Sequence, residues 1–352
     1  MLCLGIETSC DETSLALVRD NILVDQVTFS QVDIHSVFGG VVPEMASREH
    51  LNRVGVLYNE LLDRTRTDPQ EIQAIAVTRG PGLLGCLLVG LGFAKGLCLA
   101  LDIPLVGVNH LHAHLMAPGL EGKIKFPALG LLVSGGHTSI YLINSPLDFQ
   151  LLGKTLDDAA GEAFDKAAKT LNIPYPGGAH IDRFAGFAEP DQKMFPRPYL
   201  DNTNLDFSFS GIKTAVVYHV RDNPRLVLAD PEMVDQDFIP PPELATVCAS
   251  FNWAVAGALK VKLARALARY KVQSVVLAGG VAANTMIRKT LTDLVREQGL
   301  EMVMPSLSLC TDNAAMVAWH GSLLIRNGYF HPLDLEAIPR GRKIPMDYHR
   351  VN

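Results

Sequence analysis

Short apolar runs alternate along the chain with longer segments that have the spacing of helices. The runs are bounded by Gly, Pro or Asp, as buried strands are, and read LCLGIE, SLALV, AIAVT, LVGVN, ALGLLVS, SIYLI and SVVLAGG. A helical period is clearest in PPELATVCASFNWAVAGALKVKLARALARY. The pattern predicts an α/β protein.

Part of this pattern repeats. CLGIETSCDETSLALV and LGLLVSGGHTSIYLI each predict a strand, a polar turn with Thr-Ser and a second strand, about 125 residues apart. We expect two copies of one lobe, the arrangement with which actin, sugar kinases and chaperone ATPases hold a nucleotide. The predicted lobes are residues 1–125 and 126–325, the second with an inserted cap region, followed by an extended tail at 326–352.

Composition and charge fit a folded protein with two lobes. The 352 residues are 48% hydrophobic and 19% charged, and the six cysteines form no CxxC pair, so we expect reduced thiols. A net charge of −6 gives no global attraction for nucleic acid. A local basic patch is offered by Arg340, Arg342 and Lys343, although a solvated tail explains them equally well.

Targeting signals are not evident. The start, MLCLGIETSCDE, lacks the features of a secretory signal or an organelle transit peptide, so we expect a cytoplasmic protein. The apolar run at 81–101 is nearly long enough to span a bilayer, but Lys95 and five glycines interrupt it. We predict a buried helix that packs closely through its glycines, and no membrane partner.

Three histidines in NHLHAH suggest a metal site. If a helix begins near His110, His110 and His114 share one face and His112 points away. Asp312 could supply a third ligand, or it could simply cap the helix that follows it. A zinc peptidase of the HExxH type is disfavoured, because Leu111 occupies the position of the glutamate.

Glycine-rich turns after two predicted strands could hold a phosphate or a purine. They are VSGGHT and LAGGVAAN, in which backbone N–H groups are accessible to a ligand. Neither turn is a Walker A sequence or a dinucleotide fingerprint. P-loop kinases and nicotinamide enzymes are therefore disfavoured.

Several carboxylates are candidates for binding or catalysis. Asp165 and Asp182 could accept hydrogen bonds from ribose hydroxyls, whereas Asp157 and Asp158 are interpreted as surface charge on a helix. The turn residues Asp11 and Glu12 could orient a nucleophile or remove a proton, or Asp11 could bond its own backbone.

Taken in order from Leu2 to about Trp319, the motifs resemble those of one family. They are GIETSCDET, FGGVVPEMASREH, TRGPGLLGCLLVG, NHLHAH, LLVSGGHT, DDAAGEAFDKAAK, YPGG, LDFSFSGIKTA, LAGGVAAN and CTDNAAM. Together they resemble the bacterial TsaD proteins, also called Gcp or YgjD, which are tRNA N(6)-adenosine threonylcarbamoyltransferases. The resemblance implies a two-lobe actin-like fold of the ASKHA class, with duplicated RNase H-like lobes and an active site in the cleft between them.

The resemblance also implies a reaction and a site. The threonylcarbamoyl group would pass from threonylcarbamoyl-AMP to the adenosine at tRNA position 37, with release of AMP. His110, His114 and Asp312 would bind an Fe(2+) or Zn(2+) ion. The adenylate site would comprise Val133, Ser134, Gly135, Gly136, His137, Asp165, Gly178, Asp182 and Asn284.

Partners follow from the same resemblance. They are the anticodon loop of ANN-decoding tRNA, a paralogous actin-like protein of the TsaB type, and a small TsaE-type ATPase that uses ATP. The competing hypotheses are an ATPase or phosphotransferase of the actin and sugar-kinase fold, a metallo-endopeptidase, and a non-catalytic scaffold that binds adenine nucleotide. The ATPase hypothesis predicts a metal bound through nucleotide phosphates rather than by histidines.

Overall fold

The structure is a computed structural model that describes residues 1–197, 200 and 202–350. Its strands are β1 (Leu2–Glu7), β2 (Glu12–Arg19), β3 (Ile22–Ser30), β4 (Ala74–Gly80), β5 (Leu105–Asn109), β6 (Ala128–Val133), β7 (Thr138–Ser145), β8 (Asp148–Lys154), β9 (Ser274–Ala278), β10 (Glu301–Val303), β11 (Tyr329–Phe330) and β12 (His349–Arg350). Its α-helices are α1 (Val32–Ser36), α2 (Pro43–Thr65), α3 (Leu84–Leu101), α4 (His110–Met116), α5 (Ala160–Thr170), α6 (Gly177–Ala185), α7 (Ser210–Asp222), α8 (Pro242–Arg269), α9 (Thr285–Glu297) and α10 (Ala314–Arg326). Short 3-10 turns occur at Pro69–Glu71, Ala117–Leu120, Pro224–Leu226, Pro231–Met233, Gly280–Ala283 and Leu307–Leu309.

The chain forms two compact units. Unit 1 contains residues 1–123 and the described residues from Pro305 onward, and unit 2 contains Ile124–Met304. The predicted second lobe, which ended at residue 325, is therefore wrong at its C-terminal boundary. Helical periodicity reports that a helix has an apolar face but not which sheet that face covers.

Unit 1 is built on a five-stranded sheet in the order β3-β2-β1-β4-β5. The first three strands are antiparallel, and β4 and β5 run parallel to β1. Leu4 and Ile6 of β1 belong to the same core cluster as apolar residues of α2 and α3. Gly5, which points to the other face of the sheet, lies against α10, where a Cβ would come 2.4 Å from the Ala314 carbonyl oxygen.

Unit 2 repeats this topology. Its sheet has the order β10-β9-β6-β7-β8, with β6, β7 and β8 antiparallel and β9 and β10 parallel to β6. Each unit thus begins with an antiparallel hairpin and continues into parallel strands. The predicted duplication of one α/β lobe is confirmed.

Helix α3 is less buried than its glycines suggested. Gly90 does lie close to the sheet, since a Cβ there would be 2.4 Å from Thr8 Oγ1, but Gly92 and Gly96 face open space. By length and composition α3 and α8 could each cross a membrane, and 33% of the apolar window of α3 is buried against 72% of that of α8. An apolar face of α3 is consequently exposed.

The pair Asp157 and Asp158 is not simple surface charge, as the sequence suggested. Asp157 accepts hydrogen bonds from the backbone amides of Phe209 and Ser210 at 2.8 and 3.3 Å, and so satisfies the N-terminus of α7. Asp158 pairs with Lys213 of the same helix at 2.8 Å. The two carboxylates therefore attach α7 to the start of α5.

Candidate functional site

The histidines of the NHLHAH motif lie where strand β5 becomes helix α4. Asn109 ends the strand and caps the helix, because its side chain accepts hydrogen bonds from the amides of Leu111 and His112 at 2.9 and 3.4 Å. His110 and His114 are one turn apart on α4, and their ring centroids are 4.6 Å apart. The structure thus brings the two predicted ligands together.

Asp312 joins them from the C-terminal segment of unit 1. Its Oδ1 lies 2.9 Å from His114 Nε2 and 3.5 Å from His110 Nε2. The alternative role as a helix cap is wrong, because Asn313 caps α10 by accepting a hydrogen bond from the Met316 amide at 2.9 Å. One ligand atom from each of the three residues fits within a span of 4.8 Å.

His112 faces elsewhere, as helical geometry predicted. Its ring is 6.4 Å from that of His320, and burial, with a smaller effect of His320, lowers the pKa of His112 to about 3. It is therefore neutral at physiological pH and lies outside the three-residue cluster.

A fully buried glutamate behind His110 was not identified from the sequence. Glu7, the last residue of β1, accepts hydrogen bonds from the Ser9 amide and Thr78 Oγ1, both at 2.6 Å, and from His110 Nδ1 at 3.1 Å. Burial disfavours the ionised carboxylate, but the His110 charge and these hydrogen bonds leave the pKa of Glu7 below its ordinary value. A carboxylate at the end of an otherwise apolar strand was the available signal.

Glu7 determines which ring nitrogen of His110 is available to a ligand. An ionised carboxylate can only accept, so Nδ1 keeps a proton directed at Glu7, and Nε2, which faces Asp312, is the nitrogen that can bind a metal ion once its own proton is released. Burial lowers the pKa of His110, but Asp312 and Glu7 outweigh that effect and raise it to about 9. Two imidazoles and one carboxylate, with a second carboxylate holding an imidazole, suit Zn(2+) or Fe(2+).

The first hairpin turn, between β1 and β2, is held by His50, a histidine that was not predicted from the sequence. His50 of α2 donates from Nε2 to the Cys10 carbonyl at 2.9 Å, so its Nδ1 accepts the Thr13 hydroxyl hydrogen at 2.8 Å. Asp11 is buried between these anchors. Burial, together with the charges of Asp11 and Asp312, raises the pKa of Glu12 well above its ordinary value.

The predicted adenylate residues all lie in unit 2, where the SGGHT turn follows β6. The turn closes through the Ser134 amide, which donates to the His137 carbonyl at 2.8 Å. Gly161 of α5 packs directly on it, since a Cβ there would be 2.6 Å from Gly135 Cα and 2.7 Å from the Ser134 carbonyl oxygen. The turn and the start of α5 therefore pack directly against each other.

Two predicted carboxylates have structural partners. Asp165 accepts from the Gly177 amide at 3.1 Å, at the start of α6 beside Gly178. Asp182 accepts from the amide and the hydroxyl of Thr285, each at 2.9 Å.

A buried asparagine, also missed from the sequence, joins two of these residues. Asn252 of α8 donates to Asp182 Oδ1 at 3.0 Å and accepts from Asn284 Nδ2 at 2.8 Å. Asn284 in turn caps α9. An isolated asparagine within a long apolar helix was the only sequence signal for this link.

A family model and several known proteins match nearly all of the chain. A family model described as TsaD, tRNA N6-adenosine threonylcarbamoyltransferase, matches residues 22–319. A protein of that name from Nitratidesulfovibrio vulgaris strain DP4 is 58% identical over 355 residues, covering 99% of this chain and 98% of the relative. Another from Lawsonia intracellularis is 49% identical and covers 100% of both chains.

Among solved structures, HypF from T. kodakarensis aligns over 92% of this chain and 48% of its own length, with a TM-score of 0.58 and 15% identity. An activator of 2-hydroxyisocaproyl-CoA dehydratase from Clostridium difficile aligns over 91% and 94%, with a TM-score of 0.50 and 15% identity. These likenesses establish the actin-like fold.

Proposed function

The chain belongs to the TsaD family of tRNA N6-adenosine threonylcarbamoyltransferases, and we propose that it performs the family's reaction around a metal ion bound by His110, His114 and Asp312. It is a transferase of tRNA modification, which attaches a threonylcarbamoyl group to N6 of an adenosine. The observation that carries the proposal is the convergence of the three ligands with Glu7 behind His110. An Fe(2+) or Zn(2+) ion there would supply a Lewis acid for an oxygen of the transferred group.

We infer that the donor is threonylcarbamoyl-AMP and that unit 2 binds its adenylate part. The glycine turn from Val133 through Ser134, Gly135 and Gly136 to His137 follows β6 and lets a phosphate approach its backbone closely at Gly135, whereas the His137 amide already donates to Ser134 Oγ at 3.2 Å. Asp182 accepts three hydrogen bonds, and a carboxylate has about four acceptor positions, so one remains for a ribose hydroxyl. The common cleft for the two predicted sites stays a prediction.

The acceptor nitrogen must lose a proton when it attacks the carbamoyl carbon. We propose Asp11 or Glu12 for this role, because Asp11 lies in the turn that His50 holds, Glu12 directly follows it at the start of β2, and the Asp312 charge contributes to the raised pKa of Glu12. The raised pKa of Glu12 brings it nearer to the range in which a carboxylate exchanges protons at neutral pH. AMP leaves as the carbamoyl carbon bonds to N6 of adenosine.

We propose that the acceptor is adenosine 37 in the anticodon loop of ANN-decoding tRNA, in the bacterial cytoplasm. The base must leave its stack to reach a buried set of ligands.

An exposed apolar face of unit 1 suggests where a partner protein binds. Leu84, Leu88 and Leu99 of α3 and Leu51 and Val56 of α2 are each exposed by 48% or more. Such a face on a soluble fold is typical of a protein interface. We propose that it binds the TsaB-type paralogue, and that a small TsaE-type ATPase, which uses ATP, is a further partner.

The test is transfer of radiolabelled threonine to tRNA from purified threonylcarbamoyl-AMP, with and without the two partner proteins. We expect label with the wild type, none with His110→Ala, and near wild-type label with His112→Leu. His112 is the matched control, because it lies on the same helix and outside the ligand cluster. If no combination labels tRNA while this chain alone, without its partners, hydrolyses ATP, the ATPase hypothesis is correct instead.

A further inference from the structure

We propose that residues 338–343, IPRGRK, form a binding surface for the tRNA phosphate backbone on unit 1, close to the three-ligand site. This basic loop, as we call residues 338–343, carries three cations within four residues of a chain whose net charge is −6. The inference rests on the proposed function, because it concerns how the tRNA substrate is held.

The basic loop is fixed to the segment that follows β4. The Ile338 amide donates to the Arg79 carbonyl at 2.7 Å, and the Arg340 amide donates to the Gly82 carbonyl at 3.0 Å. The contact requires glycine at position 80, where φ is +148° and a Cβ would lie 2.1 Å from the Ile338 carbonyl oxygen. The TRGPG motif therefore provides the surface on which the loop rests.

Both ends of the loop are anchored as well. Before it, Leu335 is buried in the core of unit 1. After it, Asp347 accepts from Arg79 Nη1 at 2.5 Å and from Nη2 at 3.3 Å, and Arg79 itself is only 2% exposed. A loop held at both ends loses little conformational entropy when it binds a ligand.

The charged side chains of the loop face solvent. Arg340, Arg342 and Lys343 are all exposed. Across the part of the chain that the structure describes, no ion pair engages Arg342 or Lys343. Exposed arginine and lysine side chains on an anchored backbone can neutralise phosphates and so release counterions, which favours nucleic-acid binding even on an acidic protein.

A short series of contacts connects the basic loop with His110. Leu83, next to the Gly82 that binds Arg340, donates its amide hydrogen to the Ser9 carbonyl at 2.9 Å. Ser9 Oγ lies 3.3 Å from His110 Nδ1. Phosphate contacts at this position would fix the register of the anticodon stem-loop while the adenosine reaches the site.

The experiment compares Arg342→Ala/Lys343→Ala with Lys271→Ala/Arg296→Ala in the full chain with its partner proteins. The control pair removes the same charge from exposed positions in unit 2, one just before β9 and one near the end of α9. Fluorescence anisotropy with labelled tRNA gives Kd between 50 and 200 mM KCl, and threonine transfer gives kcat and KM.

We expect the loop variant to bind tRNA roughly 10-fold more weakly at low salt, with the slope of log Kd against log salt reduced by about 1.5. KM for tRNA should rise with kcat nearly unchanged, and the control should match the wild type. Unchanged Kd and slope in the loop variant would overturn the proposal. The proposal would also be overturned if the loop variant alone bound tRNA as tightly as the wild type but no longer bound the partner proteins. That result would assign the loop to a protein contact.

Failure of the proposed function gives a different result. In that case the wild type itself transfers no threonine, whatever its affinity for tRNA. Equal metal content and equal Tm in all three proteins establish that the substitutions, which are at exposed positions, leave the fold intact.

Discussion

Replacing Glu7 by glutamine tests whether the His110 tautomer controls metal binding. The substitution keeps the volume of the side chain but exchanges one carboxylate oxygen for an NH2 group. All three partners of Glu7 donate hydrogen to it, namely the Ser9 amide, Thr78 Oγ1 and His110 Nδ1. The NH2 group of the glutamine side chain is itself a donor, so it would face at least one other donor with no acceptor between them.

The relaxation available to the site weakens the metal ligand. With the NH2 group at the Oε1 position, it opposes the Ser9 amide, which cannot accept. With the NH2 group at the Oε2 position, the Thr78 hydroxyl can rotate, but His110 accepts only if Nδ1 loses its proton and Nε2 keeps one, which removes the lone pair that a metal ion needs. Loss of a carboxylate behind a metal-binding histidine typically lowers affinity 10–100-fold, or about 1.4–2.7 kcal/mol. We expect Glu7→Gln to lie in this range and to destabilise the fold by about 1–3 kcal/mol.

The assay is titration of the chelated, metal-free protein with Zn(2+) against a competing chelator, with Co(2+) absorption to report the ligand set. The matched control is Glu12→Gln, the same chemical change at a carboxylate that accepts a hydrogen bond from Ser30 Oγ at 3.3 Å. Glu12→Gln should bind metal within about threefold of the wild type, below the effect expected for a group that orients a ligand. If Glu7→Gln binds equally well, the tautomer argument is refuted.

Three further outcomes are expected. Asp157→Ala should lower the free energy of unfolding by about 1 kcal/mol at pH 7, as measured in urea, because the capping carboxylate is exposed and its charge is screened by solvent. Burial raises the pKa of Asp157, but its hydrogen bonds outweigh burial and hold the pKa below the ordinary value of 3.8. The stabilisation by Asp157 is therefore present above about pH 4 and is lost as pH falls through the lower pKa of the folded state. A difference in stability between variant and wild type that stays constant down to about pH 2 would contradict this. Gly161→Ala should raise KM for the donor at least about 10-fold, because the added Cβ displaces the Gly135 backbone. The control is Gly55→Ala, whose added Cβ meets open space, and it should leave KM unchanged. Saturating Zn(2+) should raise Tm by several degrees in the wild type and not in Asp312→Ala, because an ion that binds only the folded state stabilises it.

Local periodicity was sufficient for several features of this protein. The strand, polar turn and strand pattern predicted two copies of one α/β lobe, since alternation and turn chemistry depend on neighbouring residues. The helical period of 3.6 likewise placed His110 and His114 on one face and His112 on another, as the structure has them. These relations extend over a few residues and need no knowledge of the rest of the fold.

Relations between distant segments were decided by the tertiary structure. Asp312 was predicted in the second lobe, yet it joins the histidines in unit 1, because α10 packs its small residues against β1 and β4. Glu7, His50 and Asn252 acquire their roles only through partners brought close by folding. Such partners are set by which faces pack together, and a single sequence records the apolar face of a helix but not the surface that covers it.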